Sequence, residues 1–124
     1  MSGPLEGIKV LDMTTVFMGP HCTQILAEYG ADVIKLEAPE GDIVRKITPA
    51  RHEGMGALFL LANRGKRSIV LNVKNPAGRE AALQLAAQCD VFVYNVRPQA
   101  MTRLGLSYAD VAAVNNPSAP LAPL

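Results

Sequence analysis

Tryptophan is absent from these 124 residues, aromatics of all kinds make up only 5%, and there are just two cysteines, Cys22 and Cys89. Two distant cysteines without a CxxC spacing argue against a disulfide framework and against a cysteine-built zinc site, and they fit a reducing, cytoplasmic setting. No apolar run approaches the roughly 18 residues of a membrane span, and the start Met1-Ser2-Gly3-Pro4 has no basic region followed by an apolar one, so a soluble chain without a membrane partner is expected. Charge of either sign is also in short supply. Twelve Lys and Arg against eleven Asp and Glu leave +1, which disfavours a bulk nucleic-acid binder. The glycine fingerprint GxGxxG of dinucleotide folds is missing, and so is the nucleophile motif GxSxG.

What remains is aliphatic. The apolar share is 49%, and one domain of this length buries roughly 60% or more of the surface its unfolded chain exposes. The stretch Gly7 to Glu37 organises the rest. Ile8, Val10 and Leu11 read as a short strand, and Pro20 suits the first turn of a helix, where its missing N–H removes no hydrogen bond. Gly30 ends that helix, and Val33, Ile34 and Leu36 form a second strand. A strand-helix-strand unit is parallel with a right-handed crossover. Its ligands sit at the carboxyl ends of the strands, which marks the loop from Met13 to Gly19.

Ala38-Pro39-Glu40-Gly41-Asp42 is a loop, followed by an irregular segment to Glu53 and a short helix within 54–62 that Gly54 and Gly56 weaken by about 1 kcal/mol each. Ser68 to Val73 is the expected third strand. Asn75 as N-cap and Pro76 as first helical residue start a helix to about Gln88, and 90–94 is a fourth strand. A helical turn from Gln99 to Leu104 and a piece capped by Ser107 follow. The fold class predicted is therefore α/β, a Rossmann-like parallel sheet of about four strands with flanking helices, occupying residues 1–114. Residues 115–124, with Pro117, Pro120 and Pro123, are expected to be a disordered tail.

For chemistry, the first turn offers backbone N–H groups and a helix N-terminus to an anion. Arg64, Lys66 and Arg67 form a basic cluster; Lys74 follows the third strand and Arg97 the fourth, with Arg103 close behind. His21 at the helix start is a weaker candidate, and His52 lies in a polar loop. Asp12 and Asp32 invite comparison with a phospho-accepting receiver, but the loop after the third strand carries Lys74 and no acceptor aspartate. Bottom-up, this is an α/β unit for a phosphate-rich ligand without visible catalytic machinery.

Several ordered motifs carry a family resemblance. Pro4 to Asp12, Gly19-Pro20, Leu26 to Glu37, Gly41-Asp42, Asn63-Arg64-Gly65-Lys66-Arg67-Ser68, Asn95-Val96-Arg97-Pro98 and Arg103-Leu104-Gly105 closely resemble the start of the family III CoA-transferases, the group that includes formyl-CoA transferase, CaiB and α-methylacyl-CoA racemase. The likeness runs from about residue 4 to 117. It implies a Rossmann-like domain that binds coenzyme A or acyl-CoA as substrate, with no metal, completed by a later part of a longer chain and paired as a homodimer. It implies CoA contacts at Phe17 and Met18, at Leu71, Asn72, Val73 and Lys74, at Asn95, Val96 and Arg97, and at Arg103. Ala38 stands where these proteins often carry a basic residue that meets a CoA phosphate, so Arg64, Lys66 or Arg67 are the expected substitutes. The family's reaction moves CoA from an acyl-CoA to a carboxylate acceptor through an aspartate that forms an anhydride and then a CoA thioester. That aspartate is expected beyond this region, so the chain alone should be inactive. A racemase-type isomerase fragment and a non-catalytic dimerisation module are the alternatives.

Overall fold

Strand β1 (Lys9–Met13) lies inside the sheet, and everything else is arranged on its two sides. The computed structural model describes residues 2–115. Chain order is β1, α1 (Met18–Glu28), β2 (Asp32–Glu37), a 3-10 turn (Ile43–Lys46), α2 (Ala57–Ala62), β3 (Arg67–Val70), α3 (Pro76–Ala87), β4 (Val91–Tyr94), α4 (Pro98–Leu104) and α5 (Tyr108–Val114). All strand pairs are parallel and the sheet order is β3-β2-β1-β4. The chain steps outward twice from β1, then returns through α3 to the other side of it. That reversal puts the topological switch point between β1 and β4, the place where open α/β sheets bind ligands.

Strand side chains alternate between two helix layers. Leu11, Ile34, Leu36 and Ile69 face α3, α4 and α5, packing with Ala82, Ala86, Met101, Leu106 and Val111. Val10 and Val33 face α1, against Leu26, Ala27 and Val91. Nearer the carboxyl ends that second face turns polar, with Asp12, Lys35 and Glu37 all buried.

The expected elements are present with altered ends. Pro20 falls inside the first turn of α1, where the N–H groups have no helical acceptor, and Gly30 follows that helix at φ 101°. Strand β3 covers Arg67–Val70 rather than 68–73, because its partner β2 ends at Glu37, opposite Val70. The helix expected within 54–62 begins only at Ala57. Asn75 occupies the N-cap of α3 without a side-chain cap bond, whereas Ser107 and Asp110 form a reciprocal capping box on α5. Asn115 is tied down, its Nδ2 donating to the carbonyls of Ala86 (2.8 Å) and Cys89 (3.0 Å); the remainder of the expected tail lies outside the described residues. Among the described residues no helix is long and apolar enough to cross a membrane.

Candidate functional site at the carboxyl rim

Parallel strands bring the loops after β1, β2, β3 and β4 to one rim. The β1 and β4 loops are locked across the switch point: Thr15 N–H donates to Asn95 Oδ1 (3.0 Å) and Asn95 Nδ2 to the Thr15 carbonyl (2.9 Å). Asn95 thus spends both ends of its amide on the scaffold. From below, Asp12 accepts from Thr14 N–H (2.9 Å), the Thr14 hydroxyl and the Thr23 hydroxyl (2.6 Å). From the side, both oxygens of Asp42 accept from Val16 N–H at 3.2 Å. Val16 sits at φ 72°, a region in which a β-branched residue is an outlier. The turn is therefore held in a strained shape by its surroundings.

Two buried ion pairs do the holding. Lys35 Nζ meets Asp42 Oδ2 at 3.0 Å and the Thr14 carbonyl at 2.9 Å, and Lys66 Nζ meets Asp12 Oδ2 at 2.8 Å, the Pro20 carbonyl at 2.7 Å and Asn63 Oδ1 at 2.8 Å. All four side chains are at most 1% exposed. Burial pulls the Lys66 ammonium below its ordinary pKa, against the opposing pull of Asp12. A third pair joins Glu37 to Arg45 (2.7 Å), whose guanidinium lies 3.7 Å from the centre of the Phe59 ring.

These pairs correct the expectation that Arg64, Lys66 or Arg67 would replace a basic residue at Ala38. Lys66 is consumed by Asp12 inside the protein. Arg64 pairs with Glu28 at the end of α1, and Arg67 with Asp32 at the start of β2 (2.6 Å), so both lie at the amino end of the sheet, away from the rim. A Lys or Arg next to an apolar strand reads as solvated; only the distant partners Asp12, Glu28 and Asp32 show otherwise.

The free cations gather elsewhere on the rim. Lys74, Arg79 and Arg103 line a recess of about 220 Å³ together with Val73, Asn75, Pro76 and Leu104. The recess opens beside the first turn of α3, whose unpaired N–H groups and dipole add positive potential. In sequence Arg79 is one of the cations that make the second half of the chain locally basic, and nothing there places it at the rim. A side chain at Gly105 would start 2.8 Å from Arg79 Cδ, so the glycine leaves room for the arginine.

Of the expected contacts, Val73, Lys74 and Arg103 come together in this recess. Leu71, Val73 and Val96 turn their side chains into the core, leaving backbone for a ligand, and Asn72 is exposed with its Oδ1 accepting from Lys74 N–H (3.2 Å). Arg97 is the exposed N-cap residue of α4. Phe17 and Met18 lie across the rim after β1. The Phe17 ring stacks on His21, centroids 5.5 Å apart and planes 3° from parallel, and His21 Nδ1 is buried without a hydrogen-bond partner. Among the described residues no cluster of three His, Cys, Asp or Glu could hold a metal ion.

A four-stranded, all-parallel α/β sheet flanked by helices, with a cationic recess at its carboxyl rim, is a Rossmann-like unit. The chain belongs to the CoA-transferase family III, whose model matches residues 5–117. It is 43% identical over 116 residues to a formyl-CoA:oxalate CoA-transferase of Bradyrhizobium sp. (strain ORS 278), covering 93% of this chain and 27% of that protein. It is 44% identical over 109 residues to a succinyl-CoA:glutarate CoA-transferase of Mus musculus, covering 87% and 25%. Among solved structures, a CAIB/BAIF family protein from Brucella suis superposes with a TM-score of 0.87 at 39% identity, over 93% of this chain and 32% of that one. The chain thus spans about a quarter of the length of the curated relatives it matches.

Proposed function

We propose that this chain is the CoA-binding N-terminal part of a family III CoA-transferase, and that Lys74, Arg79 and Arg103 grip the phosphates of the nucleotide end. The observation that carries this reading is their convergence in one recess beside the start of α3. Charge-assisted bonds to phosphate are about twice as strong as neutral ones, and none of the three cations is drawn into an ion pair among the described residues. Phe17, Met18, Asn95, Val96 and Arg97 would line the path of the pantetheine arm along the rim, with Leu71, Asn72 and Val73 offering backbone groups.

The transfer step needs a carboxylate that attacks an acyl-CoA thioester. Asp12, Glu37 and Asp42, the buried carboxylates of this chain, are already engaged by Lys66, Arg45 and Lys35, so the reacting aspartate belongs to further polypeptide and this chain alone is inactive. The same reading gives a carboxylate acceptor as second substrate, a homodimer for the longer protein and a reducing cytoplasm.

Calorimetry with CoA tests the assignment. Arg79→Ala and Arg103→Ala should each weaken binding by about 1.5–3 kcal/mol, the worth of a hydrogen bond to a charged group. Unchanged affinity in both variants would remove the recess from the site.

A further inference from the structure

The backbone of the turn after β1 is strained at Val16. At φ 72° this is the one non-glycine residue with positive φ among the described residues, and with 48% of its surface exposed its side chain gains little burial to set against the strain. A residue that carries a Cβ is outnumbered about tenfold by its ordinary conformations when it is left-handed. A partner outside the residue must therefore select this shape. Thr15 on one side is fixed by the Asn95 amide, and the Phe17 carbonyl on the other accepts from His21 N–H at 2.8 Å. Val16 N–H itself is taken by Asp42, both of whose oxygens lie at 3.2 Å.

Asp42 is itself held from several directions. Its carboxylate is buried and accepts from Lys35 Nζ (3.0 Å) and Val44 N–H (3.2 Å), while its own N–H donates to Glu37 Oε2 (2.9 Å). Lys35 Nζ also donates to the Thr14 carbonyl (2.9 Å), so the two members of one buried ion pair grip the turn on either side of Thr15. The loop Ala38-Pro39-Glu40-Gly41-Asp42 carries no lysine or arginine to offer a ligand. Its link to the rim is this carboxylate. Resting on the CoA reading above, we propose that Asp42 is a positioning residue for CoA: by holding Val16 left-handed it sets the direction in which the chain leaves β1, and with it the place where Phe17 and Met18 stand. A released turn spends most of its time in other shapes, and a ligand that needs one shape binds more weakly in proportion to the fraction of chains that hold it.

The test is calorimetry with CoA, at a temperature where every variant is folded, beside thermal unfolding of the same variants. Asp42→Ala should weaken CoA about tenfold. Adding Val16→Gly to it should bring the affinity back to within about threefold of the parent, because glycine takes positive φ about as readily as negative and needs no partner to hold it there. The melting temperature of the double variant stays below that of the parent, since glycine does not restore the pair with Lys35. Affinity recovered without stability is the mark of positioning; a general loosening would move both together. Should the lone buried Lys35 ammonium keep Asp42→Ala from folding, Lys35→Met/Asp42→Ala, with and without Val16→Gly, carries the same comparison. Parent-like CoA affinity after the loss of Asp42, or a weakening that Val16→Gly does not reverse, overturns the inference and leaves the CoA reading intact. A parent chain that does not bind CoA removes both.

Discussion

Replacing Lys66 by methionine removes the one cation that, among the described residues, bonds the buried Asp12 carboxylate. Asp12 is fully buried, and Lys66 Nζ is one of its four donors, the others being Thr14 N–H and the hydroxyls of Thr14 and Thr23. Breaking a buried pair from one side costs about 3–5 kcal/mol; three surviving donors put Lys66→Met at about 3 kcal/mol, a large part of the 5–15 kcal/mol that keeps a domain folded. In urea, with m near 2 kcal/mol/M, the midpoint falls by about 1.5 M. Asp12→Asn in the same chain restores part of the loss at pH 7, because no net charge is then buried. Lys66 lies away from the recess, so the folded fraction of Lys66→Met should bind CoA as the parent does. A loss under about 1 kcal/mol would refute the account of the pair. Weakened CoA binding at full stability would return Lys66 to the ligand.

The strands were legible because their apolar residues alternate or run together over four to six positions, and the helix starts because Pro20, Pro76 and Ser107 sit where first turns need them. The polar half of the core was not legible. In β2, Ile34 and Leu36 point one way and Lys35 and Glu37 the other in a sheet expected to be covered on both faces, and the alternation alone does not show what meets the two charges. They are matched by Asp42 and Arg45 from the loop that follows. Pairing across seven or eight residues of irregular chain leaves no periodic trace. The same limit applies to the site. Lys74 and Arg97 could be placed because each follows a strand that ends at the rim, and Arg103 through the family resemblance, while Lys66 looked equivalent to them until its contact with Asp12, 54 positions away, took it out of solvent. Arg79, one turn into α3, reads as an ordinary exposed helix residue; it joins the recess only because α4 and its closing glycine pack alongside.

The remaining predictions concern packing, capping and acid stability. Gly78→Ala should destabilise the chain by about 1–3 kcal/mol in thermal unfolding, as overpacking does, although alanine favours helix by about 1 kcal/mol, since a Cβ at Gly78 would lie 2.1 Å from the Asn72 carbonyl oxygen; a raised melting temperature would refute the contact. Ser107→Ala removes the cap of α5 and should cost about 0.5–2 kcal/mol, with faster amide exchange at Asp110 and Val111 as the local mark. Glu37 governs the acid limb. Burial alone would raise its pKa, but hydrogen bonds from the Arg45 guanidinium (2.7 and 2.8 Å) and from Asp42 N–H (2.9 Å) outweigh it and hold the carboxyl below its ordinary value of 4.5. With the folded pKa below the unfolded one, the unfolded chain binds more protons in that window, so stability rises with pH there. The contribution is complete above about pH 4.5 and disappears as pH falls through the folded pKa. Glu37→Gln should therefore lower stability at pH 7, and the gap to the parent should close on acidification below about pH 4.5. Two stability curves running parallel down to pH 3 would mean that the Arg45 pair holds no charge in the folded protein.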